Sequence, residues 1–192
     1  KVYHIKDKCW EVDIRPVVVQ RSRILRARPR FDRWELEFTI VNKDPTVLLR
    51  ETMKKIVVDA SIIAKWFNIE EYTDKAVKLK DAFVRGEVEL CAPIHLIYEV
   101  GNSLWKNRQL TIKDACEAIV ALMELGIELV EPTPQSVERI MEIARIKDMS
   151  FYDAAYVQLA EELNNPLITA DEKQLKKSRE LIKAIHIKDL RI

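Results

Sequence analysis

Lys54-Lys55-Ile56-Val57-Val58-Asp59-Ala60-Ser61 is the stretch on which the fold turns. Ile56, Val57 and Val58 run without polar alternation, the pattern of a strand covered on both faces. Asp59 closes the run, and Ser61 opens a helical stretch from Ile62 to Asn68. A carboxylate at the carboxyl end of a buried strand lies where ligands bind in open α/β sheets. The ordinary structural alternative is that Asp59 only caps the following helix.

Outward from this stretch, strands and helices alternate. Helical spacing runs from Glu70 to Arg85 and stops at Gly86, and Val88 to Ala92 reads as a strand. A helix is expected from Pro93 to about Asn107. Thr111 with Asp114 makes a capping-box start for a helix ending before Gly126. Ile127 to Val130 is a third strand. Helices follow from Thr133-Pro134 to Ile146 and from Ser150 to Leu163, then a strand from Pro166 to Thr169. A helix from Asp171 to about Lys183 and an edge strand from Ala184 to Ile187 complete the chain. Short strands alternating with longer helices predict an α/β fold with a mostly parallel sheet covered on both faces.

The amino-terminal region differs. Residues 1–55 carry 14 Lys/Arg against 8 Asp/Glu, whereas residues 56–192 carry 18 against 23, so a basic unit precedes an acidic one. Trp10, Val12 and Ile14, and later Trp34, Leu36, Phe38 and Ile40, alternate with polar residues as half-buried strands do. Asp44-Pro45 reads as a helix start. Residues 1–52 are therefore expected to be a small β-rich basic extension, and 53–192 the main domain. Met53-Lys54-Lys55-Ile56 has the look of a domain's own beginning, which makes the first 52 residues an appended domain, an alternative start or added sequence. Between the two amino-terminal strands, Arg21, Arg23, Arg26, Arg28, Arg30 and Arg33 form a cluster suited to gripping phosphates, with Phe31 and Trp34 as stacking partners. A solvated strand face paired with Glu35 and Glu37 explains the same residues.

Several functional classes are excluded or disfavoured. No apolar run approaches the ~20 residues of a membrane span, and no secretory leader is recognisable at the start. Cys9, Cys91 and Cys116 are odd in number and far apart, which fits neither a disulfide framework nor a zinc site and points to the cytoplasm. No glycine-rich phosphate loop is present, against a nucleotide-hydrolysing or dinucleotide enzyme.

Four acids stand out. Asp59 and Asp171 each follow a strand; Glu99 lies in the apolar helix segment Ile97 to Trp105 with Asn102 three residues on; Asp153 sits in the first turn of its helix. Each has a structural explanation as a cap or a solvated helix residue. Together they form an oxygen-only set suited to Mg²⁺ or Mn²⁺, ions that activate water and offset charge at a phosphate during in-line displacement. His4, His95 and His186 are scattered, which argues against a histidine base.

The segments Ile56 to Phe67, Tyr98 to Lys106, Phe151 to Ala160 and Pro166 to Asp171 together resemble PIN-domain ribonucleases of the VapC toxin type, across residues 53–192. The resemblance implies a three-layer α/β/α sandwich. It also implies a metal site of Asp59, Glu99, Asp153 and Asp171, with Ser61, Asn102 and Thr169 in support. Mg²⁺- or Mn²⁺-dependent endoribonuclease activity on RNA, a VapB-type antitoxin partner and a homodimer are further expectations of the family. An RNA-processing or DNA-directed nuclease, or a non-catalytic interaction module on the same fold, are the alternatives.

Overall fold

The computed structural model describes residues 24–25, 38–39 and 54–191. Strands β1 (Ile24–Leu25) and β2 (Phe38–Thr39) pair antiparallel, with Ile24 opposite Thr39. β2 falls within an expected strand, while β1 falls inside the arginine-rich stretch between the two expected strands. The expected strand at Trp10 to Ile14, the helix from Asp44-Pro45 and the five arginines Arg21, Arg23, Arg26, Arg28 and Arg30 lie outside the described residues.

The main domain runs β3 (Lys54–Val58), α1 (Ala60–Ala64), α2 (Thr73–Val84), β4 (Val88–Pro93), α3 (Leu96–Lys106), α4 (Ile112–Glu124) and β5 (Glu128–Val130). It continues α5 (Pro134–Ile146), α6 (Phe151–Leu163), β6 (Leu167–Thr169), α7 (Glu172–Ser178) and β7 (Ala184–His186). The five strands form one parallel sheet in the order β5-β4-β3-β6-β7, between helical layers. β3 is central, which explains why Ile56, Val57 and Val58 are all buried and why its sequence shows no alternation. From β3 the chain winds outward through β4 and β5, then crosses back to β6 on the other side. The strand order therefore reverses between β3 and β6, and the crevice at such a point is where open α/β sheets bind ligands.

Local chemistry sets the boundaries. Thr111 and Asp114 form a complete reciprocal capping box at the start of α4, and Thr133 with Ser136 forms another ahead of Pro134 in α5. Gly86 and Gly126 take positive φ after α2 and α4, where a Cβ would strain the turn. Trp66 donates its indole N–H to the Ala76 carbonyl at 2.9 Å, tying α1 to α2 through the core.

Several expected boundaries move: α1 ends at Ala64 instead of Asn68, α2 begins at Thr73 instead of Glu70, and two further shifts follow from sheet pairing. Pro93 ends β4 instead of opening a helix, because it pairs with Val130 and the next N–H, of Ile94, donates to the Val130 carbonyl at 3.0 Å. Sheet pairing thus outlasts the proline, which needs no N–H of its own there. The last helix stops at Ser178, short of the expected Lys183. The Lys183 carbonyl accepts from Leu167 N–H to begin the β6–β7 ladder, so the chain must already be extended there.

Leu90→Ala, at a fully buried position of β4, is expected to cost about 2–5 kcal/mol. Ile112→Ala, at a side chain 86% exposed, should change stability by less than about 0.5 kcal/mol. Urea denaturation midpoints compare the two.

Candidate active site

The β3/β6 reversal point is occupied by a carboxylate held by hydroxyls. Asp59 is 6% exposed and caps α1. Its Oδ2 accepts from Ser61 N–H at 3.2 Å, from the Ser61 hydroxyl, and from the Thr169 hydroxyl at 3.0 Å. Ala170 N–H donates to Ser61 Oγ and Asp171 N–H to Thr169 Oγ1, each at 2.9 Å. These bonds stitch the ends of β3 and β6 together. Capping and site chemistry are therefore not alternatives for Asp59: the same carboxylate caps the helix and faces the other acids. Burial pushes its carboxyl above the ordinary range, the hydroxyl and backbone bonds pull it back, and the charge of Asp153 pushes it up again.

Glu99 arrives from α3. Its Oε2 accepts from the Tyr156 hydroxyl at 2.7 Å and lies 3.5 Å from His95 Nε2. Burial raises the Glu99 pKa to about 7, opposed by the Tyr156 bond and reinforced by the charges of Asp59 and Asp153. Burial also lowers the His95 pKa. Both groups are thus driven toward their neutral forms, and the His95–Glu99 contact is not a fixed ion pair near neutral pH. The Tyr156 phenol is fully buried and its pKa is driven far up, first by burial and then by the charges of Asp59 and Glu99, so it stays a proton donor.

Asp153 comes from the first turn of α6. The Ser150 hydroxyl accepts from Asp153 N–H at 3.0 Å, but no reciprocal bond returns from the Asp153 side chain to Ser150 N–H. The Asp153 side chain therefore does not close a capping box with Ser150, and its charge acts on Asp59 and Glu99.

The structure thus brings Asp59, Glu99 and Asp153 into one electrostatic cluster, with Ser61 and Thr169 on its floor. Asp171 is joined to it through its backbone N–H, while its Oδ1 accepts from Lys173 N–H at 2.7 Å and Gln174 N–H at 3.0 Å and caps α7. Asn102 is exposed on α3 and makes no hydrogen bond to the acids. His95 and Tyr156 were not singled out by the sequence. The i, i+4 spacing of His95 and Glu99 was legible, whereas Tyr156 meets Glu99 only across the fold.

A carboxylate-only donor set with hydroxyl support fits a hard divalent cation and not zinc. Among the described residues no three His, Cys, Asp or Glu side chains gather closely enough to close round one ion. The donor chemistry fits such an ion; a closed protein shell is not preformed.

The PIN domain family profile matches residues 56–180. The chain belongs to the PIN domain family. Its PIN domain is similar to Ribonuclease VapC3 of Pyrobaculum aerophilum, at 32% identity over 133 residues, covering 67% of this chain and 98% of that protein. It is also similar to Exonuclease VapC9 of the same organism, at 30% identity over 126 residues, covering 64% and 85%. Among solved structures, PAE2754 from Pyrobaculum aerophilum superposes with a TM-score of 0.53 at 27% identity, covering 71% of this chain and 91% of that one. The PIN domain here is thus of the VapC type, and the expected α/β/α sandwich is the observed one.

The raised Glu99 pKa carries a stability consequence. The folded state holds the Glu99 proton up to about pH 7, whereas an ordinary glutamate releases it near 4.5. Its contribution is full below the lower value and is lost as pH rises through the higher one. Without divalent cations, thermal stability is expected to fall from about pH 4.5 to above 7, and Glu99→Gln should flatten part of that fall. Carboxyl ¹³C NMR should find the Glu99 midpoint near 7, moving higher in Tyr156→Phe.

Proposed function

We propose that the PIN domain is a Mg²⁺- or Mn²⁺-dependent endoribonuclease that hydrolyses RNA phosphodiester bonds, acting as the toxin of a VapBC-type pair. The observation that carries this is the convergence of Asp59, Glu99 and Asp153 at the sheet's reversal point. Mutually repelling acids are costly there without a cation to hold, and the VapC-type relatives support the nuclease assignment.

Asp59, Glu99, Asp153 and, through a small movement of its cap, Asp171 are the residues proposed to hold the metal. A bound divalent ion supplies charge neutralisation at the phosphate and a more acidic water. Ser61 and Thr169 orient Asp59 by donating to Oδ2, which among the described residues leaves Oδ1 without a hydrogen-bond partner and suited to a cation. Tyr156 fixes Glu99 Oε2. Burial and the neighbouring carboxylate charges raise Glu99 while the site holds no cation, and a bound divalent ion would favour its carboxylate form as a ligand. Asn102 is assigned a supporting role at the exposed edge.

The surroundings of the reaction belong to the same proposal. The chain divides into the basic extension, 1–52, and the nuclease domain, 53–192. The domain works in the cytoplasm as a homodimer held in check by a VapB-type antitoxin. Among the described residues no helix is long and apolar enough to cross a membrane. Arg21, Arg23, Arg26, Arg28 and Arg30 would add phosphate grip to a domain that is itself acidic.

Cleavage of a mixed single-stranded RNA should require Mg²⁺ or Mn²⁺ and stop in EDTA. Asp59→Asn should lower the rate by roughly 100-fold or more, since even outer partners of metal ligands act on a 10- to 100-fold scale. Equal cleavage by Asp59→Asn would overturn the assignment. The triple variant Arg26→Ala/Arg28→Ala/Arg30→Ala should flatten the salt dependence of RNA affinity by about 2 in log–log slope; an unchanged slope would remove the extension from the RNA site.

A further inference from the structure

Beside the acid cluster lies a cavity of about 210 Å³ between α5, α6 and the carboxyl ends of β4 and β5. The two sites share structural elements. His95, which touches Glu99, lines the cavity, and so does Phe151, two residues before Asp153. Helix α6 separates them: Tyr156 bonds Glu99 on one side, while Ala155, Gln158, Leu159 and Glu162 line the cavity on the other. At this volume the cavity is smaller than the ~300–1,000 Å³ typical of drug-sized ligands, so it suits a single ring system.

Its polar lining is richest in acceptors, from Glu131, Gln158 and Glu162, beside the His95 ring. Gln158 is buried and donates its amide Nε2 to Glu162 Oε2 at 2.6 Å. A carboxylate only accepts, so this bond fixes which way the amide is turned. The Gln158 carbonyl oxygen accepts nothing from the described residues, and the second Glu162 oxygen is likewise unbonded. The pair therefore holds two adjacent acceptors beside apolar walls formed by Ile94, Ile140 and Leu159. Of the two hydroxyls in the lining, Ser136 donates to the Thr133 carbonyl, whereas Thr133 Oγ1 accepts from Ser136 N–H and keeps its own proton to donate. Such a surface repels a phosphate and accepts a flat ring with two neighbouring donors. Among the RNA bases, guanine alone presents two adjacent N–H donors, N1–H and the 2-amino group, on its Watson–Crick edge.

We infer that this cavity is a base-recognition subsite that seats a guanine of single-stranded RNA near the acid cluster, read by Gln158 and Glu162 and flanked by the Phe151 and His95 rings. Recognition of unstacked bases through that edge and through ring faces is how single-stranded RNA is read. The inference deepens the ribonuclease proposal and rests on it for the RNA context, but its chemistry can be tested without cleavage.

The experiment is an amide NMR titration of the full chain with guanosine, adenosine, cytidine and uridine in turn. Guanosine should shift signals within 131–136 and 155–162, binding at least roughly tenfold more tightly than the other three, the scale of one good two-bond base contact. Glu162→Ala, at an exposed position with little risk to folding, should remove that preference while leaving distant signals unmoved. Absence of shifts at these residues with any nucleoside, an equal response to all four, or guanosine preference surviving in Glu162→Ala would each overturn the subsite. Saturation by N-acetyl-arginine amide in preference to guanosine would instead assign the cavity to a basic side chain of a protein partner and overturn it equally. Selective guanosine binding by a chain that cleaves no RNA would keep the subsite and sink the nuclease reading; cleavage without guanosine binding would do the reverse.

Discussion

A buried carboxylate at the end of the central strand is the constraint on which the rest of the domain depends. Removing Asp59 from water is costly unless donors replace the lost hydration. The Ser61 amide, the Ser61 hydroxyl and the Thr169 hydroxyl do so. One of these donors is 110 residues away in sequence, so satisfying Asp59 requires β6 to lie beside β3 in one register. Val58 opposite Ile168, with Asp59 N–H on the Ile168 carbonyl at 3.0 Å, is that register. A one-residue slip would point Thr169 to the other face of the sheet and leave the carboxylate unsatisfied. The acid and the strand order at the reversal point therefore specify each other.

Helix α6 extends this control outward. Every residue from Ala154 to Ala160 is buried, as in a helix enclosed on all sides. It packs on β3, β4 and β6 and against α5, so each of its faces serves a different neighbour. Asp153 and Tyr156 go to the acid cluster, and Gln158 and Glu162 to the adjoining cavity. The cap at Ser150 uses the hydroxyl to hold the Asp153 N–H and leaves the Asp153 carboxylate unspent. Local capping and remote chemistry are thus met by neighbouring atoms of a single turn.

Most of the main domain was legible one element at a time. Uninterrupted β-branched runs mark β3, Gly86 and Gly126 mark helix ends, and Thr111, Thr133 and Ser150 mark helix starts, because each of these signals is a short-range interaction. Two of the misplaced boundaries share a cause. Pro93 was read as a helix start and residues 179–183 as helix, yet both are governed by pairing with distant strands, Val130 in one case and Leu167 in the other. Long-range pairing leaves no local mark in the sequence.

The sequence by itself determined which residue types were available: an acid after each of two strands, two helix acids, hydroxyls at Ser61 and Thr169, and a parallel α/β pattern to carry them. Those follow from periodicity and capping, which act over a few residues. Only the tertiary structure decided what each acid does. It coupled Asp59, Glu99 and Asp153 while tying Asp171 to the start of α7. It brought Tyr156 and His95 to Glu99, and placed an acceptor-lined cavity behind α6. Burial, and the charges that face one another once water is excluded, are properties of the packed chain, and they set whether a carboxylate caps a helix, keeps its proton to near neutral pH, or stands ready for a cation.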